Sequence, residues 1–311
     1  MSTNVLVMGA TGHQGSAVIA GLTDLPDRLF TIYALTRNVS SPGAQRLQSK
    51  YPNVKLVAGS FEEPSAIFAA CNAQISHVFA VQLPTGFPPD AETEERHGKA
   101  LVDAAASHGV KFYVQASVDR GVNSDTDPTD VPHFISKFNI EKHLIDVVGQ
   151  SNGKISYTIL RPTSFMDNLG DGGFPAKVTA TAWRDALPST LKVQVIAVKD
   201  IGRFAARALA YPDRPEYHNQ AISLAGDEVS WDEMNQMFAE CTGQKNGLPT
   251  TFSIVPRLLF KLVPEMALTF RFFEVKGFSA DISRLRLLDP QIMTFRSWLE
   301  DKVSTGSLAR G

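Results

Sequence analysis

The chain has 311 residues, 43% of them apolar and 20% charged, with a formal net charge of −2. These proportions fit a folded globular protein of one elaborated domain or a domain and a half. The near-neutral balance argues against a dedicated nucleic-acid binder, which needs a basic stripe to displace counterions. Cys71 and Cys241 have no metal-ligand spacing and read as reduced thiols. No apolar run reaches membrane-spanning length and no leader-like segment precedes the first strand, so a cytosolic protein is expected.

Short, continuously apolar runs at Asn4–Met8, Phe30–Thr36, Val54–Ala58, His77–Val81, Lys111–Ala116 and Ser156–Leu160 predict buried strands. Helical patterning fills the gaps at Ser16–Leu22, Ala44–Lys50, Glu63–Cys71, Ala91–His108 and Pro132–Val148. Strictly alternating strands and helices with short connections predict a doubly wound parallel sheet of the α/β class. After Leu160 the rhythm changes. Strand-like pieces thin out to Val193–Val198 and Ala221–Leu224, a helix starts near Asp200, and Ser230–Glu233 spells a capping box. An aromatic-rich stretch runs from Phe252 to Phe278, and the last residues, from Ser304, are small and polar and expected to fray. The expected organisation is a nucleotide-binding domain over 1–160 and a smaller, mostly helical C-terminal lobe over 161–311, with some segments of the lobe returning to the first sheet.

The first strand runs directly into GATGHQG, placing Gly9, Gly12 and Gly15 in a G-x-x-G-x-x-G spacing between strand and helix. In that setting the first glycine permits a tight turn, the second lets a pyrophosphate approach the backbone, and the third lets the helix pack close with its amides aimed at the anion. Thr11, His13 and Gln14 fall within the same loop and are expected contacts. A nicotinamide dinucleotide with a 2′-hydroxyl usually meets an acid at the end of the second strand. Here that strand ends Thr36-Arg37-Asn38. Arg37 can pair a 2′-phosphate, with Asn38 beside it and Arg46 assisting, so the cofactor reads as NADP(H).

The segments GATGHQGSAV, LTRN, HFISKFNIEKHL, YTILRPTSFMDNL, VKDIGRFAARAL and ISLAGDEVS, in that order, resemble the NmrA-like family of atypical short-chain dehydrogenase/reductases. The resemblance covers nearly the whole chain, and the run from Arg161 to Asn168 is its most specific piece. It implies a Rossmann-type domain with a smaller C-terminal lobe, an NADP(H) site, and one of two roles. Some members reduce quinones, aromatic compounds or dyes; others are non-catalytic regulators that sense the NADPH/NADP⁺ ratio. Relatives commonly carry Gly-Asp after the third strand, the acid contacting adenine. This chain has Gly59-Ser60, and Ser60 is expected to keep a weaker contact.

In the wider superfamily a Tyr-x-x-x-Lys pair on one helix face supplies the proton and holds the nicotinamide ribose. Here the pattern is His133-Phe134-Ile135-Ser136-Lys137. The resemblance assigns Lys137 to cofactor and catalysis. Two readings of His133 stand: a proton relay titrating near neutral pH, or a side chain that packs beside the cofactor without reacting. Ser117 falls where the superfamily has a catalytic serine, although a serine at a strand end is often a turn residue. Gln82 and Pro84, after the fourth strand, are expected near the nicotinamide ribose, and Phe165 after the sixth. With Met166, Phe174, Trp183 and Phe260–Phe273, Phe165 could line a flat apolar substrate pocket; the same aromatics could instead be core, or an exposed patch for a protein partner.

No HExxH, paired-cysteine or clustered-carboxylate spacing implies a metal, and neither a nucleophile elbow nor a P-loop is present. The acidic run Asp90–Gly98 reads as a solvated helix start. The leading expectation is an NADPH-dependent oxidoreductase acting on a small hydrophobic carbonyl, quinone or aromatic compound, without nucleic-acid or membrane partners. Its rivals are an NADP(H)-sensing regulator with a protein partner, which could enter the nucleus, and a redox-neutral isomerase or cyclase on the same scaffold.

Overall fold

The computed structural model describes residues 2–82, 89–170 and 173–309. They form two compact units, the first made of Met1–Val118, His133–Arg161 and Ile201–Ile222, the second of Asp119–Pro132, Pro162–Asp200 and Ser223–Gly311. The chain thus passes between the units several times.

The first unit alternates β1 (Thr3–Val7), α1 (His13–Thr23), β2 (Phe30–Thr36), α2 (Pro42–Lys50), β3 (Lys55–Ala58), α3 (Pro64–Ala70), β4 (His77–Ala80), α4 (Ala91–Ser107), β5 (Phe112–Ala116), α5 (Pro132–Gln150) and β6 (Ser156–Pro162). The second unit carries β7 (Ser164–Phe165), α6 (Phe174–Ala186) and β8 (Val193–Ile196); α7 (Val198–Ala210) and β9 (Gln220–Leu224) lead back to the first sheet. The remainder is β10 (Asp227–Val229), α8 (Trp231–Thr242), α9 (Ile254–Leu262), α10 (Pro264–Val275), α11 (Ile282–Leu288) and α12 (Phe295–Ser304).

The main sheet has seven strands in the order β3-β2-β1-β4-β5-β6-β9. The ladders joining β1 through β6 are parallel, Val5 pairing with Ile32 on one side and His77 on the other. The Asn219 amide meets the Tyr157 carbonyl at one end of β9 and the Thr163 amide meets Leu224 at the other, so β9 also runs parallel. Burial on both faces explains the unbroken apolar run Val5–Met8 of the first strand, and in fully buried β5 the one polar residue, Gln115, is hydrogen-bonded inside the protein. The order reverses between β1 and β4, the switch point at which open α/β sheets bind ligands outside their carboxyl ends. The expected doubly wound sheet is present.

Small residues set the helix packing. A Cβ on Gly202 would lie 2.4 Å from the Ala17 carbonyl oxygen, and one on Gly21 would lie 2.9 Å from the Gly202 oxygen, so α1 and α7 meet almost backbone to backbone. This contact explains why α7, late in sequence, belongs to the first unit.

The second unit holds a small sheet in the order β10-β8-β7, with β8 antiparallel to β10 and parallel to β7. At two and three residues, β7 and β10 are too short to show a period. The aromatic-rich Phe252–Phe278 stretch carries two helices, α9 and α10. Val263 takes φ −129° and ψ 81° between them, because the Pro264 ring excludes the helical region from the residue before it. Trp183, Phe270, Phe272 and Phe273 are buried, with the Trp183 and Phe273 ring centres 5.9 Å apart. These aromatics form the unit's core, whereas Phe174, Phe252, Ile254 and Leu258 are exposed.

Candidate functional site

The turn from β1 into α1 is dictated by its glycines. Gly9 has φ +57°, which L side chains rarely adopt. The Gly12 amide closes the turn on the Gly9 carbonyl at 2.9 Å. A Cβ on Gly15 would fall 2.3 Å from that same carbonyl oxygen, so only glycine lets α1 begin this close to the strand. The N-cap, Gly12, offers no side chain to the first-turn amides, and no acidic residue lies in that turn. This differs from α8, closed by the Ser230–Glu233 capping box, and from α4, where Asp90 accepts from the Thr93 amide. The amides of His13, Gln14 and Gly15 therefore lack intrahelical acceptors and stand where an anion is favoured. Thr11, Gly12 and His13 are exposed at the mouth of this cradle, which fits a pyrophosphate.

Arg37 and Asn38 follow β2, the strand beside β1, and both are exposed. The Asn38 carboxamide oxygen accepts from the Ser40 amide at 2.8 Å, which shapes the turn and leaves the Arg37 side chain facing solvent. Gly43, opening α2, lies against Thr11, so this turn adjoins the glycine loop. Arg46 is exposed on the same helix. Ser60 follows β3, its hydroxyl accepting from the Glu62 amide at 3.3 Å. Next to it the Phe61 ring stacks on His97 at 6.1 Å, and Glu62 pairs with Arg96 and His97. The hydrogen bond from Arg96, with help from His97, holds the Glu62 carboxyl below the usual range.

Gln82 follows β4 and is buried, its Oε1 accepting from Gln115 Nε2 at 2.9 Å. Its main-chain carbonyl accepts from Lys137 Nζ at 3.2 Å, which ties α5 to the end of β4. Lys137 is 8% exposed and forms an ion pair with Glu94 Oε1 at 2.9 Å. The other Glu94 oxygen accepts from the Ser136 hydroxyl, and Glu94 is fully buried. This corrects the reading of Asp90–Gly98 as a solvated helix start. Asp90 and Glu92 are solvated, but Glu94 shares the inward face of α4 with Gly98 and Leu101. Extending that stripe one turn toward the N-terminus would have found it.

His133, one turn before Lys137, is half-buried, its ring edge-on to Phe134 at 4.6 Å. Ser117 follows β5 and is buried; its hydroxyl donates to Glu141, which Arg161 grips through Nη2 at 2.6 Å. The single Ser117 proton is thus committed inside the protein, and Glu141 and Arg161 are partners that sequence reasoning missed. Phe165 lies in β7, in the second unit, and Pro84 lies outside the described residues. The other expected residues occupy the glycine loop, the carboxyl ends of β2 to β5, and the first half of α5. A cavity of about 580 Å³ lined by Thr3, Arg28, His77 and Tyr211 opens at the opposite, amino-terminal edge of the sheet. Among the described residues, no group of three or more metal-ligating side chains occurs and no helix is long and apolar enough to cross a membrane.

A seven-stranded parallel sheet with an uncapped glycine turn at its switch point defines a Rossmann-type fold. The chain belongs to the NmrA-like family, whose model matches residues 1–292. It is 27% identical to the NmrA-like oxidoreductase ptmS of Penicillium ochrochloron over 264 residues, covering 78% of this chain and 73% of ptmS. In fold it is similar to the Citrobacter sp. triphenylmethane reductase complexed with NADP(H), with a TM-score of 0.70 and 19% identity over 97% of this chain and 100% of the reductase. It is equally similar to NmrA, a negative transcriptional regulator in complex with NAD, with a TM-score of 0.69 and 14% identity over 98% and 97% of the two chains.

Proposed function

We propose that this protein is an NADPH-dependent oxidoreductase that reduces a small hydrophobic carbonyl, quinone or related aromatic compound. The observation that carries the reading is the open, acid-free N-terminus of α1 behind Gly9, Gly12 and Gly15, with Arg37 at the end of the neighbouring strand. The amides of His13, Gln14 and Gly15 would hold the pyrophosphate, with Thr11 beside them. Arg37 and Asn38 would meet the 2′-phosphate end, Ser60 the adenine, and Gln82 and Lys137 the nicotinamide end. When bound, NADPH supplies a hydride. Reduction of a carbonyl would leave an alkoxide needing a proton, which His133 or a water would relay. The Lys137 ammonium stabilises the negative charge, and Ser117 acts by fixing Glu141 and Arg161.

The choice of phosphate rests on Arg37. Arg37→Ala is expected to weaken NADPH at least tenfold in titration calorimetry while changing NADH little. An equal loss for both would remove the 2′-phosphate assignment. The reaction is tested by deuteride transfer from 4-deuterated NADPH to a panel of quinones and aromatic ketones, with label expected in the reduced product. NADPH binding without transfer to any panel member would favour the second reading, a cofactor-sensing regulator. Its specific support is the histidine at the tyrosine position together with the committed proton of Ser117. Such a regulator must bind its partner with different affinity in the two cofactor states.

A further inference from the structure

We propose that Glu94 is the positioning residue of the site, acting on a bound cofactor only through Lys137. The inference rests on the cofactor reading above. Glu94 cannot touch a ligand itself: it is fully buried, and its two oxygens are taken by Lys137 Nζ and the Ser136 hydroxyl. Its effect on Lys137 is direct. Its carboxylate holds the Lys137 ammonium at 2.9 Å and fixes where the amine stands. The geometry is equally constraining. One ammonium N–H is held by Glu94 and a second by the Gln82 carbonyl at 3.2 Å, so a third is left for a cofactor hydroxyl.

Ser136 completes the device from the same helix as Lys137. Its hydroxyl also approaches the His133 carbonyl, at 3.0 Å, so the turn carrying His133, Ser136 and Lys137 is fastened to α4 through one carboxylate. For folding alone an apolar pair of the same volume would serve at least as well, because two buried charges lose their hydration. Holding a charged donor at the end of β4 is what the ion pair adds.

The test is a double-mutant cycle on NADPH affinity, measured by calorimetry for the wild type, E94Q, K137M and E94Q/K137M. Glu94→Gln is expected to weaken NADPH at least tenfold when Lys137 is present and less than twofold in the K137M background. A similar loss in both backgrounds, or none in either, would overturn the proposal; because the buried pair also couples in stability, the affinities are compared at a temperature where circular dichroism shows all four proteins fully folded. If E94Q does not fold, Glu94→Asp, which keeps the charge but withdraws it from Nζ, takes its place in the cycle with the same criterion. Wild-type protein that is folded but fails to bind NADPH overturns the cofactor reading instead.

Discussion

Lys137→Ala should cost the protein about 3–5 kcal/mol of folding stability, whatever it does to binding. The reason is the residue left behind. Glu94 is fully buried, and without the ammonium its remaining partner is the Ser136 hydroxyl. A lone carboxylate in that position has neither solvent nor counter-charge. Replacing both partners, as in E94Q/K137M, removes the charge together with the need to neutralise it, and should return the protein to within about 1–2 kcal/mol of wild type. Urea unfolding followed by far-UV circular dichroism checks both values. Circular dichroism is the probe because it reports on both units, whereas Trp183, Trp231 and Trp298 all lie in the second and the ion pair lies in the first. If K137A loses less than about 1 kcal/mol, Glu94 is not held as a buried carboxylate. There is a practical consequence for tests of catalysis. A drop in turnover in K137A alone would mix lost chemistry with lost folding, whereas the double variant isolates the chemistry.

The parts of this fold that were legible in the sequence are those governed by local physics. The central strands β1 and β4 of the main sheet are buried on both faces, so their apolar residues run together, and the glycine turn is confined to seven residues. The Pro264 break could have been read in the same way, since a proline restricts the residue before it wherever it occurs. What escaped is non-local. Ser117 was located correctly at the end of β5, but its partner is 24 residues away and the arginine gripping that partner is 20 residues beyond Glu141. The stripe through Gly98 and Leu101 puts Glu94 on the inward face of α4, unlike exposed Glu92, but the partner it meets there lies on α5. The short strands β7 and β10 exist because β8 pairs with them on both sides; nothing in two or three residues announces that. Lys137 was placed by its spacing from His133, yet the carboxylate holding it lies 43 residues earlier.

Gly15→Ala should reduce NADPH affinity about a hundredfold, equivalent to about 3 kcal/mol, and lower folding stability by about 1–3 kcal/mol. The new methyl would lie 2.3 Å from the Gly9 oxygen, 2.6 Å from the Gly9 carbonyl carbon and 2.8 Å from the Ala10 Cα. All three are backbone atoms, so no rotamer change relieves the clash, and Gly9 at φ +57° has little room to give. The start of α1 must move away from β1, taking the first-turn amides with it. Gly12→Ala makes a different demand. Its methyl would meet only the Gly9 oxygen, at 3.3 Å, so stability should change by no more than about 1 kcal/mol while a group projecting into the cradle obstructs the anion. Gly202→Ala supplies the complementary control, since its methyl would strike the Ala17 backbone at 2.4 Å and disturb α1 away from its N-terminus. That variant should lose stability comparably to G15A and keep most of its NADPH affinity. Calorimetric titration beside thermal melts separates the three cases. If G202A lost affinity as steeply as G15A, binding would follow the general integrity of α1, and the open amides at its start would no longer explain the phosphate site.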